Sequence, residues 1–181
     1  MPRILHVGCG GSPLPEMFDE WHEVRLDIDP DVRPDVVASM LNLPEMGLFD
    51  CVYSSHNLEH VYSHEVPIAL KQWKRVLKPN GYLHVNVPDL EGLTASEDVL
   101  YESSAGPITS LDMIYGMRKL TATNPHMQHK TGFTAPVLRA ALENAGFKSV
   151  FIHRQPLELF GFAFVGDVDP AMMRSFNGNN G

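Results

Sequence analysis

The sequence predicts an α/β protein with a doubly wound, mostly parallel sheet. Strand-like apolar runs alternate with helical patterns along the 181-residue chain, which is typical of such sheets. The first run leads into a glycine-rich turn with Gly8, Gly10 and Gly11, and the second run ends at Asp27. Glycines let a backbone approach a ligand closely, and a carboxylate at the tip of the next strand can accept hydrogen bonds from a ribose. We therefore expect a nucleoside site near the start of the chain.

Seven segments have the composition of strands, because each is a short apolar run bounded by turn residues. The predicted strands are residues 4–7, 24–27, 36–38, 51–54, 82–87, 150–153 and 160–165. Between the first two lie Pro13 and Pro15, so the first crossover helix must be short.

The clearest predicted helix spans residues 63–77. Leu70 and Trp73 are among the apolar residues that recur there at helical spacing, and Ser63 is a candidate N-cap. The Lys-Pro-Asn-Gly sequence at residues 78–81 predicts a tight turn that ends this helix.

A second clear helix is predicted for residues 135–144. Thr134 is its candidate N-cap, Pro136 lies in its first turn, and Gly146 follows its end.

Residues 90–130 form a long excursion after the fifth strand, with one predicted helix at residues 110–120. At the carboxyl end of a sheet, a segment of this length is suited to a lid over the site. A purely structural insertion is the alternative.

Composition predicts one domain over residues 1–166, followed by a disordered tail at residues 167–181. The hydrophobic fraction is 44%, which is ordinary for a globular protein. No apolar run has the length of a membrane span, and no signal peptide opens the chain, so a cytoplasmic location is expected.

The charge balance argues against nucleic acid as a partner. Lysine and arginine number 14 and aspartate and glutamate 22, for a net charge of −8, and no basic cluster stands out. Cys9 and Cys51 have no CxxC partner, which favours buried free thiols over a zinc site or a disulfide.

Four sequence blocks resemble class I S-adenosylmethionine-dependent methyltransferases, with a type 11-like methyltransferase domain. The blocks are residues 4–11, 25–30, 49–60 and 75–82, and the resemblance extends over residues 3–90 and 126–165. It implies a Rossmann-like sheet of seven strands whose last two form an antiparallel hairpin. It also implies transfer of a methyl group from S-adenosyl-L-methionine to a small-molecule or glycan acceptor, with oxygen as the expected methyl-accepting atom.

The resemblance also implies roles for individual residues. Gly8 and Gly10 would pass beneath the methionine part of the cofactor, and Asp27 would hold the ribose hydroxyls. The cofactor-binding residues implied are Gly8, Cys9, Gly10, Asp27, Ile28, Ser39, Met40, Leu41, Ser55 and His56.

The chain departs from the family pattern at several positions. His6 and Ser39 stand where the family usually has acids, and Ser12 replaces the third glycine of the turn. No helix precedes the first strand, so one side of the pocket is expected to be either open or covered by a partner subunit. A binding or assembly module with weakened catalysis is therefore an alternative. A nicotinamide-dependent enzyme is a weaker alternative, because Pro13 stands where a dinucleotide turn needs glycine.

Four residues are candidates for catalysis: His129, His126, His56 and Asp89. A histidine with a pKa near 6.5 can deprotonate an acceptor hydroxyl at neutral pH, and His129 is preferred to His126. A structural histidine that hydrogen-bonds the backbone is the alternative. Asp89 follows the fifth strand, where it can contact the acceptor or cap the next turn.

The spacing of His56, His60 and His64 would place three imidazoles on one face of a continuous helix, as in some metal sites. Ser63 is expected to start a new helix and break that register, so we predict no metal.

Overall fold

The computed structural model describes residues 1–103 and 106–168 of the chain. Each of the seven predicted strands overlaps a strand of the structure. The strands are β1 (Arg3–Val7), β2 (His22–Asp27), β3 (Val36–Val37), β4 (Phe49–Ser55), β5 (Leu77–Pro88), β6 (Val99–Ser103), β7 (Gly106–Thr109), β8 (Ser149–Gln155) and β9 (Glu158–Phe164). The α-helices are α1 (Val66–Arg75), α2 (Ser110–Tyr115), α3 (Arg118–Thr121) and α4 (Ala135–Asn144).

Seven of these strands form one sheet in the order β3-β2-β1-β4-β5-β9-β8. The first five in this order pair in parallel, whereas β9 runs antiparallel to both β5 and β8. The direction of winding reverses between β1 and β4, and ligands bind beyond the carboxyl ends of strands at such a point. The predicted seven-stranded, mostly parallel sheet with an antiparallel C-terminal hairpin is confirmed.

One face of the sheet holds the main hydrophobic core. Leu5, Val52 and Leu83 point into it from β1, β4 and β5 and are fully buried. The helices α1 and α4 cover this face, and Trp73 and Leu138 are among their fully buried side chains. Each such side chain stabilises the fold by roughly 1.5–3 kcal/mol, so this face anchors the strands whose ends form the site.

The opposite face is covered more thinly. Ile4, Cys51 and Tyr53 pack there against Phe18 and Trp21. Phe18 ends the short 3-10 helix Glu16–Phe18, and Trp21 lies three residues further on. The short first crossover that the prolines predicted is confirmed, although its cover is a 3-10 helix instead of an α-helix.

The first long helix is shorter than predicted. Helix α1 begins at Val66, and Ser63 is not its N-cap, because Glu65 holds that position without a side-chain cap. Pro67 lies in the first turn, where its missing N–H costs nothing.

The predicted tight turn at residues 78–81 lies within the bounds of β5, where the pairing with β4 shifts register. The chain does turn there, because a Cβ on Gly81 would lie 3.1 Å from the backbone N and O atoms of Lys78.

The excursion at residues 90–130 contains more structure than predicted. Strands β6 and β7 form a hairpin that the sequence analysis missed. The predicted helix 110–120 is interrupted, because Gly116 adopts a φ of +85° and separates α2 from α3. Thr109 and Asp112 form a capping box that begins α2.

Helix α4 has the predicted bounds. Thr134 is at its N-cap position without a side-chain hydrogen bond, and Gly146 follows it with a φ of +91°. Cys9 and Cys51 are buried free thiols, as predicted.

No helix within residues 1–103 and 106–168 has the length and apolarity to cross a membrane. The predicted disordered tail at residues 167–181 lies, beyond residue 168, outside the described residues.

Candidate active site

Glycines in the left-handed region build the turn after β1. The φ angle is +67° at Gly8 and +48° at Gly10, conformations that cost other residues roughly 1–2 kcal/mol. A Cβ on Gly8 would also collide with the side-chain amide of Asn57. The N–H of Gly8 donates to the carbonyl oxygen of Leu26 at 2.8 Å and ties the turn to β2. The turn is therefore a cradle that only glycine can form at position 8.

Asp27 ends β2 directly beside this turn. Its Oδ2 accepts a hydrogen bond from the Gly10 N–H at 2.8 Å, and its Oδ1 accepts one from the Asp29 N–H at 3.0 Å. Each carboxylate oxygen has a further lone pair. The backbone therefore orients the carboxylate and leaves acceptor capacity for a ribose diol.

A cavity of about 360 Å³ opens beside Gly8 and Asp27, within the size range of ligand pockets. Of the residues that the sequence assigned to the cofactor, eight line this cavity: Gly8, Gly10, Asp27, Ile28, Ser39, Met40, Leu41 and His56. Cys9 is buried beneath the turn and, like Ser55 at the end of β4, lies outside this lining. The glycine cradle, the carboxylate and the apolar wall together fit a nucleoside cofactor.

Ser39 faces the cavity where the family usually has an acid. Its Oγ accepts a hydrogen bond from the Leu41 N–H at 3.2 Å, and its hydroxyl hydrogen and second lone pair stay available. The serine can therefore still hydrogen-bond the edge of a purine.

His56 follows β4 and adopts a φ of +50°. Its Nε2 donates to Oε1 of Glu158 at 2.9 Å, and its Nδ1 lies 3.6 Å from Oε1 of Glu59. Burial alone would lower the pKa of His56, but the two carboxylates outweigh it and raise the pKa to about 10. His56 is therefore an imidazolium at neutral pH.

Glu59 lies on the 3-10 helix Leu58–His60 and is only 1% exposed. Among the described residues, no group donates a hydrogen bond to either of its carboxylate oxygens. Burial would raise the pKa of Glu59, but the cationic His56 and the neighbouring His60 and His129 lower it overall. The side chain is therefore an ionised carboxylate surrounded by three imidazoles.

His129 lies behind the cavity wall, against Glu59. Its Nδ1 donates to the carbonyl oxygen of Met113 at 2.8 Å, and its Nε2 lies 3.9 Å from Oε1 of Glu59. Burial lowers the pKa of His129, although Glu59 opposes this. His129 is therefore a neutral imidazole whose lone pair is on Nε2.

His60 lines the cavity and donates from Nδ1 to the carbonyl oxygen of Gln128 at 3.0 Å. Its ring centroid is 5.0 Å from that of His129. His64 instead stacks on Tyr62 at 5.7 Å. The three histidines that the sequence placed at helical spacing therefore do not share a helix face, because a turn separates His60 from α1.

His126 belongs to the 3-10 helix Pro125–Met127 and lines the cavity with Asn124 and Lys130. The ammonium of Lys130 lies 5.2 Å from the ring centroid of Tyr62. The end of the excursion thus faces the glycine turn across the cavity.

Asp89 borders a different hollow, next to Arg154. Its Oδ2 accepts a hydrogen bond from Nε of Arg154, and its Oδ1 accepts one from the Glu91 N–H at 3.0 Å. The structure therefore favours the structural alternative for Asp89, a turn cap held by an ion pair.

His6 is buried, and its Nδ1 lies 2.8 Å from Oε1 of Glu23 on β2. Glu23 also pairs with Arg25, whose guanidinium donates to the carbonyl oxygens of Gly10 and Ser12. An acid is thus present beside His6, but the neighbouring strand supplies it.

Several functional candidates were missed from the sequence. They are Asn57, Glu59, Tyr62, Lys130 and Glu158. The signal for Glu59 was its position between His56 and His60 in the block after β4. Glu158 lies more than 100 residues further along the chain, and no local pattern connects it to His56.

Comparisons with known proteins relate the chain to methyltransferases. Residues 5–85 match the family model described as a methyltransferase domain. A comparison with curated protein sequences found no match.

Solved structures with the same fold include S-adenosylmethionine-dependent methyltransferases of two microorganisms. The protein from Archaeoglobus fulgidus is 19% identical with a TM-score of 0.61, over 90% of this chain and 86% of that chain. The protein from Mesorhizobium loti is 17% identical with a TM-score of 0.62, over 90% of each chain.

The 1,6-didemethyltoxoflavin-N1-methyltransferase of Burkholderia thailandensis, solved with S-adenosylhomocysteine, is 18% identical with a TM-score of 0.59. This alignment covers 92% of this chain and 72% of that chain.

The sheet order, the glycine cradle and Asp27 define a Rossmann-like protein with a nucleoside site at the switch point of the sheet. The family match over residues 5–85 covers the end of β1, the glycine turn, Asp27 and most of β5. Over these residues the chain is similar to a methyltransferase domain, and its fold is that of solved S-adenosylmethionine-dependent methyltransferases.

Proposed function

We propose that this enzyme transfers a methyl group to a small-molecule acceptor, at an oxygen atom. The observation that carries the proposal is one continuous cavity between the glycine turn on one side and His126 and Lys130 on the other. When bound, the cofactor supplies a methyl group on a sulfonium, which an acceptor can displace in line. The protein contributes alignment and the exclusion of water.

Asp27 is proposed to hold the ribose hydroxyls, and Gly8 and Gly10 to lie beneath the methionine part. Ile28, Met40 and Leu41 supply apolar surface for adenine, and Ser39 can hydrogen-bond its edge. Cys9 and Ser55 lie outside the cavity lining, so their contribution is restricted to shaping the turn and the end of β4.

Residues 90–130 are proposed as the acceptor lid, because their last turn lines the cavity. An acceptor hydroxyl must lose its proton, and two histidines can take it. His126 faces the cavity, which supports it as the base. His129 has a neutral imidazole with a free Nε2, but it lies behind His60, so it would act through a shift of the lid.

His56 and Asp89 have weaker support as catalytic residues. The imidazolium of His56 has no lone pair for a proton, so its proposed role is to hold the cavity wall in position. Asp89 is engaged by Arg154 and is proposed to stabilise the start of the excursion.

A nitrogen acceptor is the second candidate. The Burkholderia thailandensis neighbour is named as an N1-methyltransferase, and a neutral ring nitrogen needs no base. A glycan acceptor also stays a proposal. Oligomerisation and a cytoplasmic location stay predictions. A binding or assembly module with weakened catalysis also stays an alternative function.

Calorimetry and product analysis test this proposal. We expect S-adenosylhomocysteine to bind with a dissociation constant in the micromolar range. Incubation with S-adenosylmethionine should add one methyl group to hydroxylated small molecules, as detected by mass spectrometry. His126→Asn should lower the rate, and His22→Asn, at an exposed histidine on β2, should not.

The outcomes separate the alternatives. Methylation of ring nitrogens alone would replace oxygen with nitrogen as the accepting atom. Absence of cofactor binding at millimolar concentration would leave the binding module as the function.

A further inference from the structure

Three potential metal ligands converge behind the cavity wall. A carboxylate oxygen of Glu59 and ring nitrogens of His60 and His129 all lie within 4.8 Å of one another. Two of the three are neighbours on the 3-10 helix Leu58–His60, and the third comes from the end of the excursion. Backbone hydrogen bonds hold these segments together, because the N–H groups of Lys130 and Thr131 donate to the carbonyl oxygen of Glu59 at 2.8 and 3.2 Å.

Both histidines are oriented as metal ligands usually are. A backbone carbonyl only accepts, so the bonds to Gln128 and Met113 place the hydrogen on Nδ1 of His60 and of His129. The lone pair of each ring is then on Nε2. Carbonyl partners of this kind fix the tautomer and aim the other nitrogen at an ion in known metal sites.

The environment of Glu59 is a second observation, separate from the spacing of the three ligands, that points to a bound ion. Its carboxylate is 1% exposed, and no described residue donates a hydrogen bond to it. The imidazolium of His56 supplies a nearby positive charge but no hydrogen bond, so the oxygens of Glu59 keep lone pairs for an ion. His56 approaches only to 3.6 Å and already has Glu158 at 2.9 Å, so Glu59 can bind an ion without leaving His56 unpaired.

We propose that Glu59, His60 and His129 bind one divalent transition-metal ion. Two imidazole nitrogens and one carboxylate suit Zn²⁺, Co²⁺ or Fe²⁺, whereas Mg²⁺ and Ca²⁺ prefer all-oxygen sites. Ligand atoms around a tetrahedral Zn²⁺ are roughly 3.3 Å apart, from bond lengths near 2.0 Å. The three ligand atoms must therefore approach one another by up to about 1.5 Å, which side-chain rotations can provide.

The site lies close enough to the cofactor cavity for the ion to act on a bound acceptor. His60 lines the cofactor cavity, and Glu59 and His129 border a small adjoining hollow with Met113 and Phe133. Three protein ligands leave at least one coordination position open. An acceptor oxygen that bound there would lose its proton more readily. The site itself goes beyond the proposed function and does not depend on methyl transfer.

Metal binding is tested directly on untagged, chelator-treated protein. Calorimetry with Zn²⁺ should give one ion per chain, and Co²⁺ should produce the visible absorption of a tetrahedral complex. Glu59→Gln and His129→Asn should each weaken Zn²⁺ binding by more than about 100-fold, and His22→Asn should leave it unchanged.

Circular dichroism checks the fold of each variant, and His60→Asn, at a partly exposed residue, is the variant least expected to disturb it. Absence of stoichiometric Zn²⁺ and Co²⁺ binding by the wild-type protein would overturn the proposal, and so would unchanged binding in folded His60→Asn.

A further variant separates this proposal from the proposed function. Asp27→Asn should lose cofactor affinity and keep its Zn²⁺ site. Absence of cofactor binding and methyl transfer in the wild-type protein, with intact Zn²⁺ binding, would count against the function alone.

Discussion

The Nε2 atom of His56 lies 2.9 Å from Oε1 of Glu158 and joins the segment after β4 to the start of β9, 102 residues further along the chain. The same ring faces the buried Glu59 through Nδ1. One cation thus holds two carboxylates from distant parts of the fold, at the edge of the cofactor cavity.

This arrangement predicts a pH-dependent contribution of His56 to stability. The pKa is about 10 in the folded protein and near 6.5 in an unfolded chain. Because the folded value is the higher one, the stabilisation is complete below about pH 6.5 and is lost as the pH rises to 10. With 43% of the side chain exposed, solvent screening limits it to about 1 kcal/mol.

Urea unfolding of His56→Gln measures this contribution. The variant should be less stable than wild type at pH 6 and nearly equal at pH 10. Glutamine retains a Cβ at the same left-handed position, so the backbone strain is matched. A stability difference that does not change with pH would contradict the ion-pair interpretation.

Asp27→Asn is predicted to weaken cofactor binding. The neutral amide accepts hydrogen bonds less strongly than a carboxylate, and hydrogen bonds to charged groups contribute about 1.5–3 kcal/mol. The dissociation constant for S-adenosylhomocysteine should therefore rise by about 10- to 100-fold. Asp19→Asn, at an exposed acid after the first 3-10 helix, is the matched control, and an equal loss there would refute the assignment.

The cofactor half of the site could be predicted because its signals are local. The glycine turn follows β1 directly, and Asp27 and Ser39 lie at or near strand ends, where a parallel sheet gathers its ligands. Strand positions followed from short apolar runs in the same way. The break at Gly116 was missed because helical spacing continues across a glycine whose φ becomes positive only in the folded chain.

The acceptor side of the site could not be predicted, because it depends on contacts between residues that are far apart in the sequence. His129 reaches Glu59 only because the excursion folds back and bonds to the carbonyl oxygen of that residue. Asp89 was placed near an acceptor by its position at a strand end. Its partner Arg154 lies 65 residues away, and that contact favours the turn cap.

Gly8→Ala is predicted to damage both the fold and the cofactor site. The φ of +67° and the collision with Asn57 should lower the free energy of unfolding by about 1–3 kcal/mol. Cofactor affinity should fall at least about 10-fold, because the turn must move. Gly11→Ala is the control, since no described residue lies within 4 Å of the added Cβ. Equal effects of the two substitutions would exclude the cradle at Gly8.

Asp89→Asn is predicted to act on stability and not on chemistry. The substitution removes the charge that pairs with Arg154 and weakens the acceptor that caps the Glu91 turn. The melting temperature should fall, while the methyl-transfer rate of the remaining folded enzyme should stay close to that of wild type. Arg154→Gln should lower the melting temperature similarly, because it removes the other half of the same pair. A variant of Asp89 with an unchanged melting temperature and a much lower rate would instead place this carboxylate at the acceptor.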